Sequence, residues 1–156
     1  MSEATTYPLM SDVTTHGVRV GANAFYLPDE STPEDNEYVF GYRIVILNDS
    51  ERTVTLLTRH WDVIDGEGQL REVDGEGVVG QKPRLAPGEA FKYHSFAVLP
   101  TPWGTMEGYY DFRAEDNQDQ LEVAIGRFYL TQQSVHHTVS QEADSQETDI
   151  TEAGPD

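Results

Sequence analysis

An all-β fold built from two packed sheets follows from three features of this sequence. Apolar residues recur with a period of two in about seven short segments, and turn-forming clusters separate those segments. No stretch of ten residues keeps the 3.6-residue period of an amphipathic helix.

The segments come in a regular order. His16 to Leu27 alternates through Val18, Val20, Ala22, Ala24 and Tyr26, as a strand with one buried face does. Glu37 to Asn48 places Tyr38, Phe40, Tyr42, Ile44 and Ile46 on one face. Thr53 to Ile64 groups Leu57, Trp61 and Val63, with Arg59 between them. Asp65-Gly66-Glu67-Gly68 is a hairpin turn into a short strand from Gln69 to Val73. After the Pro87-Gly88 turn come Ala90 to Leu99, Gly104 to Ala114 and Gln120 to Leu130. The polar turn Glu115-Asp116-Asn117-Gln118-Asp119 joins the last two. Strands in this number and spacing predict an immunoglobulin- or fibronectin type III-like β-sandwich of about seven strands.

The 156 residues allow one domain, predicted to span residues 16–131. Residues 1–15 are polar and aperiodic, the pattern of a flexible lead-in. Residues 132–156 carry six carboxylates and no Lys or Arg, and are predicted to be a disordered acidic tail. The His136-His137 pair in that tail is expected to be solvated. Cysteine is absent, which removes disulfides, thiolate ligands and a cysteine nucleophile. Met1-Ser2-Glu3 opens without a basic, apolar leader and no run reaches the ~18 apolar residues of a membrane span, so a cytoplasmic protein without membrane contact is expected. With 28 Asp plus Glu against 10 Lys plus Arg, the net charge of −18 argues against nucleic-acid binding. The acidity reads either as a solubility surface in an ordinary cytosol or, with lysine so scarce, as adaptation to a salt-rich one where screening removes self-repulsion.

Gly75-Glu76-Gly77-Val78-Val79-Gly80 has the G-x-G-x-x-G spacing of a dinucleotide fingerprint, but Pro83 and Pro87-Gly88 replace the helix that such a site needs. The loop reads instead as a connection between strands. Gly75, Gly77 and Gly80 could point backbone N–H groups into an anion nest, with Arg59, Lys82 and Arg84, and Arg71 nearby, supplying charge. Asp74 and Glu76 would repel a phosphate there unless Mg²⁺ or Co²⁺ bridged them. Tight backbone geometry at φ > 0 and a partner surface are the other readings of the same glycines.

Arg59-His60-Trp61 sits mid-strand, with Trp61 a core residue and Arg59 needing a carboxylate, carbonyl or ligand anion. His60 faces the other way, as a hydrogen-bonded histidine or a metal ligand with His94 or His16. Asp62, Asp65, Glu67, Glu72, Asp74 and Glu76 lack the spacing of a calcium loop, and no specific metal site is predicted. Neither a nucleophile elbow nor a serine–histidine–acid set is present, so no enzyme is predicted.

The ordered motifs Tyr38-Val39-Phe40-x-Tyr42, Arg59-His60-Trp61, Gly75 to Gly80 with Pro83, Leu85-x-Pro87-Gly88-Glu89-x-Phe91-x-Tyr93-x-Ser95, Thr101-Pro102-x-Gly104-Thr105-Met106-x-Gly108-x-Tyr110 and Phe128-x-Leu130 resemble the ApaG (CorD) family. The resemblance runs from about His16 to Leu130. It implies a fibronectin type III-like sandwich and a link, by name, to cobalt and magnesium resistance or efflux. Bacterial members tend to be encoded near a diadenosine tetraphosphate hydrolase. Similar domains in a eukaryotic F-box protein and a DNA polymerase delta-interacting protein imply protein binding. The resemblance also implies a pyrophosphate-containing ligand at the glycine loop. Asp74, where relatives carry a basic or neutral residue, and the acidic tail depart from the family pattern.

The reading that follows is a non-enzymatic binding module for a protein partner, with a phosphate-containing ligand at the glycine-rich loop and room for a homodimer. The alternative is a pyrophosphate- or nucleotide-binding protein linked to cobalt and magnesium homeostasis, needing no cofactor beyond a bridging cation.

Overall fold

The computed structural model describes residues 9–132. The expected tail from residue 133 onward, with His136-His137, lies outside the described residues, as do residues 1–8.

Nine strands occur among the described residues: β1 Ser11–Thr15, β2 Val18–Tyr26, β3 Tyr38–Asn48, β4 Val54–Asp65, β5 Leu70–Glu76, β6 Arg84–Leu85, β7 Ala90–Leu99, β8 Trp103–Ala114 and β9 Gln120–Thr131. Seven are the segments whose alternation predicts them. β6 is a two-residue pairing beside the start of β4. β1 corrects the expected lead-in, because residues 11–15 form an antiparallel ladder with β2 from Ser11↔Ala22 to Thr15↔Val18. Its side chains are Ser, Asp and Thr around a single Val, so it contributes backbone pairing without an apolar stripe.

The strands form two antiparallel sheets, β1-β2-β3-β7 and β5-β4-β8-β9, with β6 alongside β4. Their inner faces meet over the alternating apolar residues. Val18, Val20, Ala22, Ala24 and Tyr26 of β2 and Phe40, Tyr42, Ile44 and Ile46 of β3 are all buried. Trp61 lies at the centre, its ring edge-on to Tyr42 at 5.5 Å, Phe128 at 5.9 Å and Tyr110 at 6.5 Å. Such tilted contacts add to the area term that dominates a core of this kind. The buried hydroxyls of Tyr93 and Tyr110 meet at 2.5 Å and tie the two sheets together. β9 is braced by β1, with Ala124 N–H donating to Thr15 Oγ1 and Val13 packed over Gly126.

β4 departs from strict alternation. Its pairing with β8 slips between Leu56 and Thr58, a β-bulge that leaves Leu57 without a partner. Leu56 rather than Leu57 therefore fills the core, and the inward phase resumes at Arg59, Trp61 and Val63. The expected grouping of Leu57 with Trp61 is corrected by this one extra residue. On the β5 side the Leu57 carbonyl accepts the Gly77 N–H at 2.8 Å, one step beyond the Thr58↔Glu76 pair.

Candidate functional site

The glycine-rich loop folds onto the end of the sandwich. Gly75 is still in β5, directly opposite Arg59. Val78 and Gln81 exchange two N–H···O bonds of 2.8 Å, closing a two-residue turn over Val79-Gly80 with φ of 41° and 80°. Positive φ at both central residues matches the twist of a hairpin, although it is rare for a β-branched residue such as Val79. Val78 and Val79 are both buried, so apolar contact holds the turn inward. Gly77, at φ 64°, also has a left-handed backbone, and a Cβ there would overlap the Gln81 carbonyl. Gly75 does not share this conformation. It is small for another reason: the Arg59 guanidinium carbon lies 2.6 Å from where its Cβ would stand.

This arrangement decides which way the loop's polar groups point. The N–H groups of Gly77, Val78 and Gln81 are engaged by the carbonyls of Leu57, Gln81 and Val78. Arg59 Nη1 donates to the carbonyls of Glu76 at 3.1 Å and Gly77 at 2.9 Å, so its partner is the loop's own backbone. Lys82 Nζ pairs with Glu76 at 2.6 Å and holds that carboxyl below its usual range. Arg84 is drawn to Glu115 at 2.7 Å and stands opposite Thr55 at the start of β4. Of the six residues expected to hold a phosphate, Gly75, Gly77, Gly80, Arg59 and Lys82 converge, and Arg84 does not. Arg71 faces Val63, away from the loop.

The outer face of the β5-β4-β8-β9 sheet presents a second constellation. His60 and its register partners Asp74 on β5 and Tyr109 on β8 form one row across it. His60 Nδ1 meets Asp74 Oδ1 at 2.6 Å, and Nε2 meets Asp62 Oδ1 at 2.9 Å. The ring stacks on Tyr109 with centroids 4.8 Å apart. Carboxylate oxygens only accept, so the imidazolium form is the one that satisfies both contacts. The bond to Asp74, supported by Asp62 and opposed by burial, raises the His60 pKa above its ordinary value. Its companions are thus carboxylates. His94 lies on β7 in the other sheet, opposite Arg43, and His16 lies in the β1–β2 turn.

Neighbouring rows extend the pattern. One contains Glu72, Asp62 and Glu107, and another contains Glu76, Thr58, Asp111 and Glu122. A depression of about 340 Å³ opens between Thr58, His60, Asp74, Glu76, Tyr109 and Asp111. Its wall carries three carboxylates together with the Arg59 guanidinium and the His60 ring, so its charge is mixed. At the opposite end of the face, Leu70, Ile64, Thr105 and Tyr129 form an apolar row. Trp103 stands at that end against Gly66. Leu70, Trp103 and Tyr129 are each about half exposed, at 55%, 45% and 50%.

Sequence reasoning missed the Asp74–His60 pair, the Tyr109 stack and the apolar row. Only the His60/Asp62 spacing of two residues, which puts both on one strand face, could have signalled part of it. Among the described residues, no helix is long and apolar enough to cross a membrane.

The family model of the ApaG domain matches residues 28–114. The chain is 47% identical over 116 residues to Protein ApaG of Allorhizobium ampelinum, covering 74% of this chain and 88% of that protein. Protein ApaG of Aromatoleum aromaticum is 42% identical over 128 residues, 82% of this chain and the whole of that protein. The crystal structure given for an ApaA protein from Bordetella pertussis superimposes with a TM-score of 0.71 at 41% identity, covering 80% of this chain and 97% of the other. The chain belongs to the ApaG domain family.

Proposed function

We propose that this chain is a non-catalytic binding module. In this reading the outer face of the β5-β4-β8-β9 sheet engages a protein partner that brings a basic segment flanked by apolar side chains. One observation carries the reading: Leu70, Ile64 and Tyr129 share a row across the sheet, next to rows dominated by carboxylates. Half-exposed Trp and Tyr are the side chains that most often anchor interfaces, and a contiguous apolar group on an acidic surface is rarely left bare. The acidic rows would steer a cationic partner and set its register. His60 supports the non-catalytic part, because both its nitrogens are engaged by carboxylates and neither is available to take a proton from a nucleophile. A pyrophosphate ligand has weaker support at the glycine loop, where three N–H groups and Arg59 already bond within the protein.

A photo-crosslinking residue at Tyr129, compared with one at Lys92 on the opposite sheet, tests this surface in native extract. The expected result is a discrete partner captured from position 129 alone. With that partner purified, Trp103→Ala should weaken binding at least tenfold, about 1.4 kcal/mol, and affinity should fall steeply with salt. Capture from position 92 instead, or an affinity that ignores both Trp103→Ala and salt, overturns the proposal.

A further inference from the structure

We propose that His60, Asp62 and Glu72 form a site for one divalent transition ion of the kind imidazole selects, Ni²⁺ or Zn²⁺. One ligand atom from each of these residues lies within 4.8 Å of the other two. Ligand atoms about 2.0–2.2 Å from such an ion stand roughly 3 Å from one another around it. His60 Nε2 and Asp62 Oδ1 already stand 2.9 Å apart, the edge length of a coordination polyhedron. Glu72 is the register neighbour of Asp62 on the edge strand β5, and its exposed side chain needs only a rotamer change to close the third position.

The anchoring group is an imidazole, and its other nitrogen is held as a ligating histidine requires. Asp74 Oδ1 accepts a hydrogen bond from Nδ1–H at 2.6 Å, and the stack on Tyr109 fixes the ring plane. Metal-bound histidines commonly donate their second N–H to a carboxylate, which sets the tautomer and strengthens the ligand. Asp74 is thus a positioning residue that leaves Nε2 on the side of Asp62 and Glu72. An ion there replaces the Nε2 proton and neutralises carboxylates that otherwise share one imidazolium. Adjacent strands hold the three side chains, so little ordering is needed. Imidazole with two carboxylates favours Ni²⁺ or Zn²⁺ over Mg²⁺, which takes oxygen ligands and keeps its waters. Three protein ligands leave positions open to water. The site stands whether or not a protein covers this face.

The test uses the full chain carrying His136→Gln and His137→Gln, which removes the other histidine pair. Calorimetric titration with Ni²⁺ or Zn²⁺ in high salt should give one equivalent that tenfold excess Mg²⁺ leaves unchanged. Paramagnetic Ni²⁺ should broaden the Tyr109 ring signals. Glu72→Gln should weaken binding at least tenfold without lowering the metal-free melting midpoint, since its side chain is exposed on an edge strand. Asp74→Asn should weaken it about 10- to 100-fold, and His60→Gln should abolish it. Many weak equivalents, a single site indifferent to Glu72→Gln and Asp74→Asn, or unbroadened Tyr109 signals would each overturn the assignment.

Discussion

Each nitrogen of His60 faces a carboxylate oxygen, which favours the imidazolium form, and that has a direct consequence for stability. Its pKa in the folded protein is raised above the ordinary 6.5, first by Asp74 and then by Asp62. Below the unfolded value the imidazolium is charged in both states, and its pairing contributes fully. As pH rises through the raised folded value the proton is lost, and one carboxylate contact turns from attractive to repulsive. The metal-free protein should therefore lose melting temperature as pH rises from the ordinary imidazole value through the raised one. Asp74 is well exposed, so screening keeps the effect modest. Asp74→Asn should flatten the slope. An unchanged slope in that variant would show that His60 does not govern it. The His60/Asp62 half of this pair was legible from strand alternation. The Asp74 half was not, because it depends on the β4–β5 register, which places residue 60 beside residue 74.

The glycine-rich segment makes the same point for a whole element. Three glycines in six residues look equivalent in sequence, yet each is small for a different reason. Gly80 has φ 80° with open space around it, Gly77 has φ 64° with the Gln81 carbonyl in the way, and Gly75 lies under Arg59. Gly80→Ala should cost about 1 kcal/mol from backbone conformation alone. Gly77→Ala should cost about 2–3 kcal/mol, because crowding adds to the same penalty. Gly75→Ala should instead act by displacing Arg59 from the carbonyls of Glu76 and Gly77. Urea denaturation of the three variants checks the order, and equal costs at Gly77 and Gly80 would remove crowding as the cause. Most strands were legible because their apolar residues alternate. β1 was not, because it pairs through backbone with few apolar side chains, and the bulge at Leu57 was not, because one inserted residue leaves no mark in composition. The loop's inward fold was hidden in Val78-Val79, which looks like a strand fragment and is the buried tip of a turn.

At the scale of the whole molecule, the two sheets carry opposite charge. The outer face of β5-β4-β8-β9 holds Asp62, Glu72, Asp74, Glu76, Glu107, Asp111 and Glu122 against Arg127, bound to Glu107, and Arg113 and Arg84 beside Thr55. The outer face of β1-β2-β3-β7 holds Arg19, Arg43, Lys92 and His94, with Asp12 bound to Arg19. A net charge of −18 thus conceals a local polarity that composition cannot reveal. Packed sheets stand about 10 Å apart and their outward side chains lie farther still, beyond the Debye length of about 10 Å at 0.1 M salt, so charges couple more strongly within a face than across the sandwich. Each substitution should therefore answer to its own face rather than to net charge. Glu122→Lys sits beside Asp111 and should raise the melting midpoint in 0.1 M KCl. Lys92→Glu makes the net charge more negative but places a carboxylate beside basic neighbours, so it should leave the midpoint nearly unchanged. In wild type the midpoint should rise as KCl goes from 0.1 to 1 M and the Debye length shrinks to about 3 Å, and Glu122→Lys should reduce that rise. If Lys92→Glu instead destabilises by as much as Glu122→Lys stabilises, net charge governs the molecule. The acidic face would then be a solubility surface with no claim on a partner.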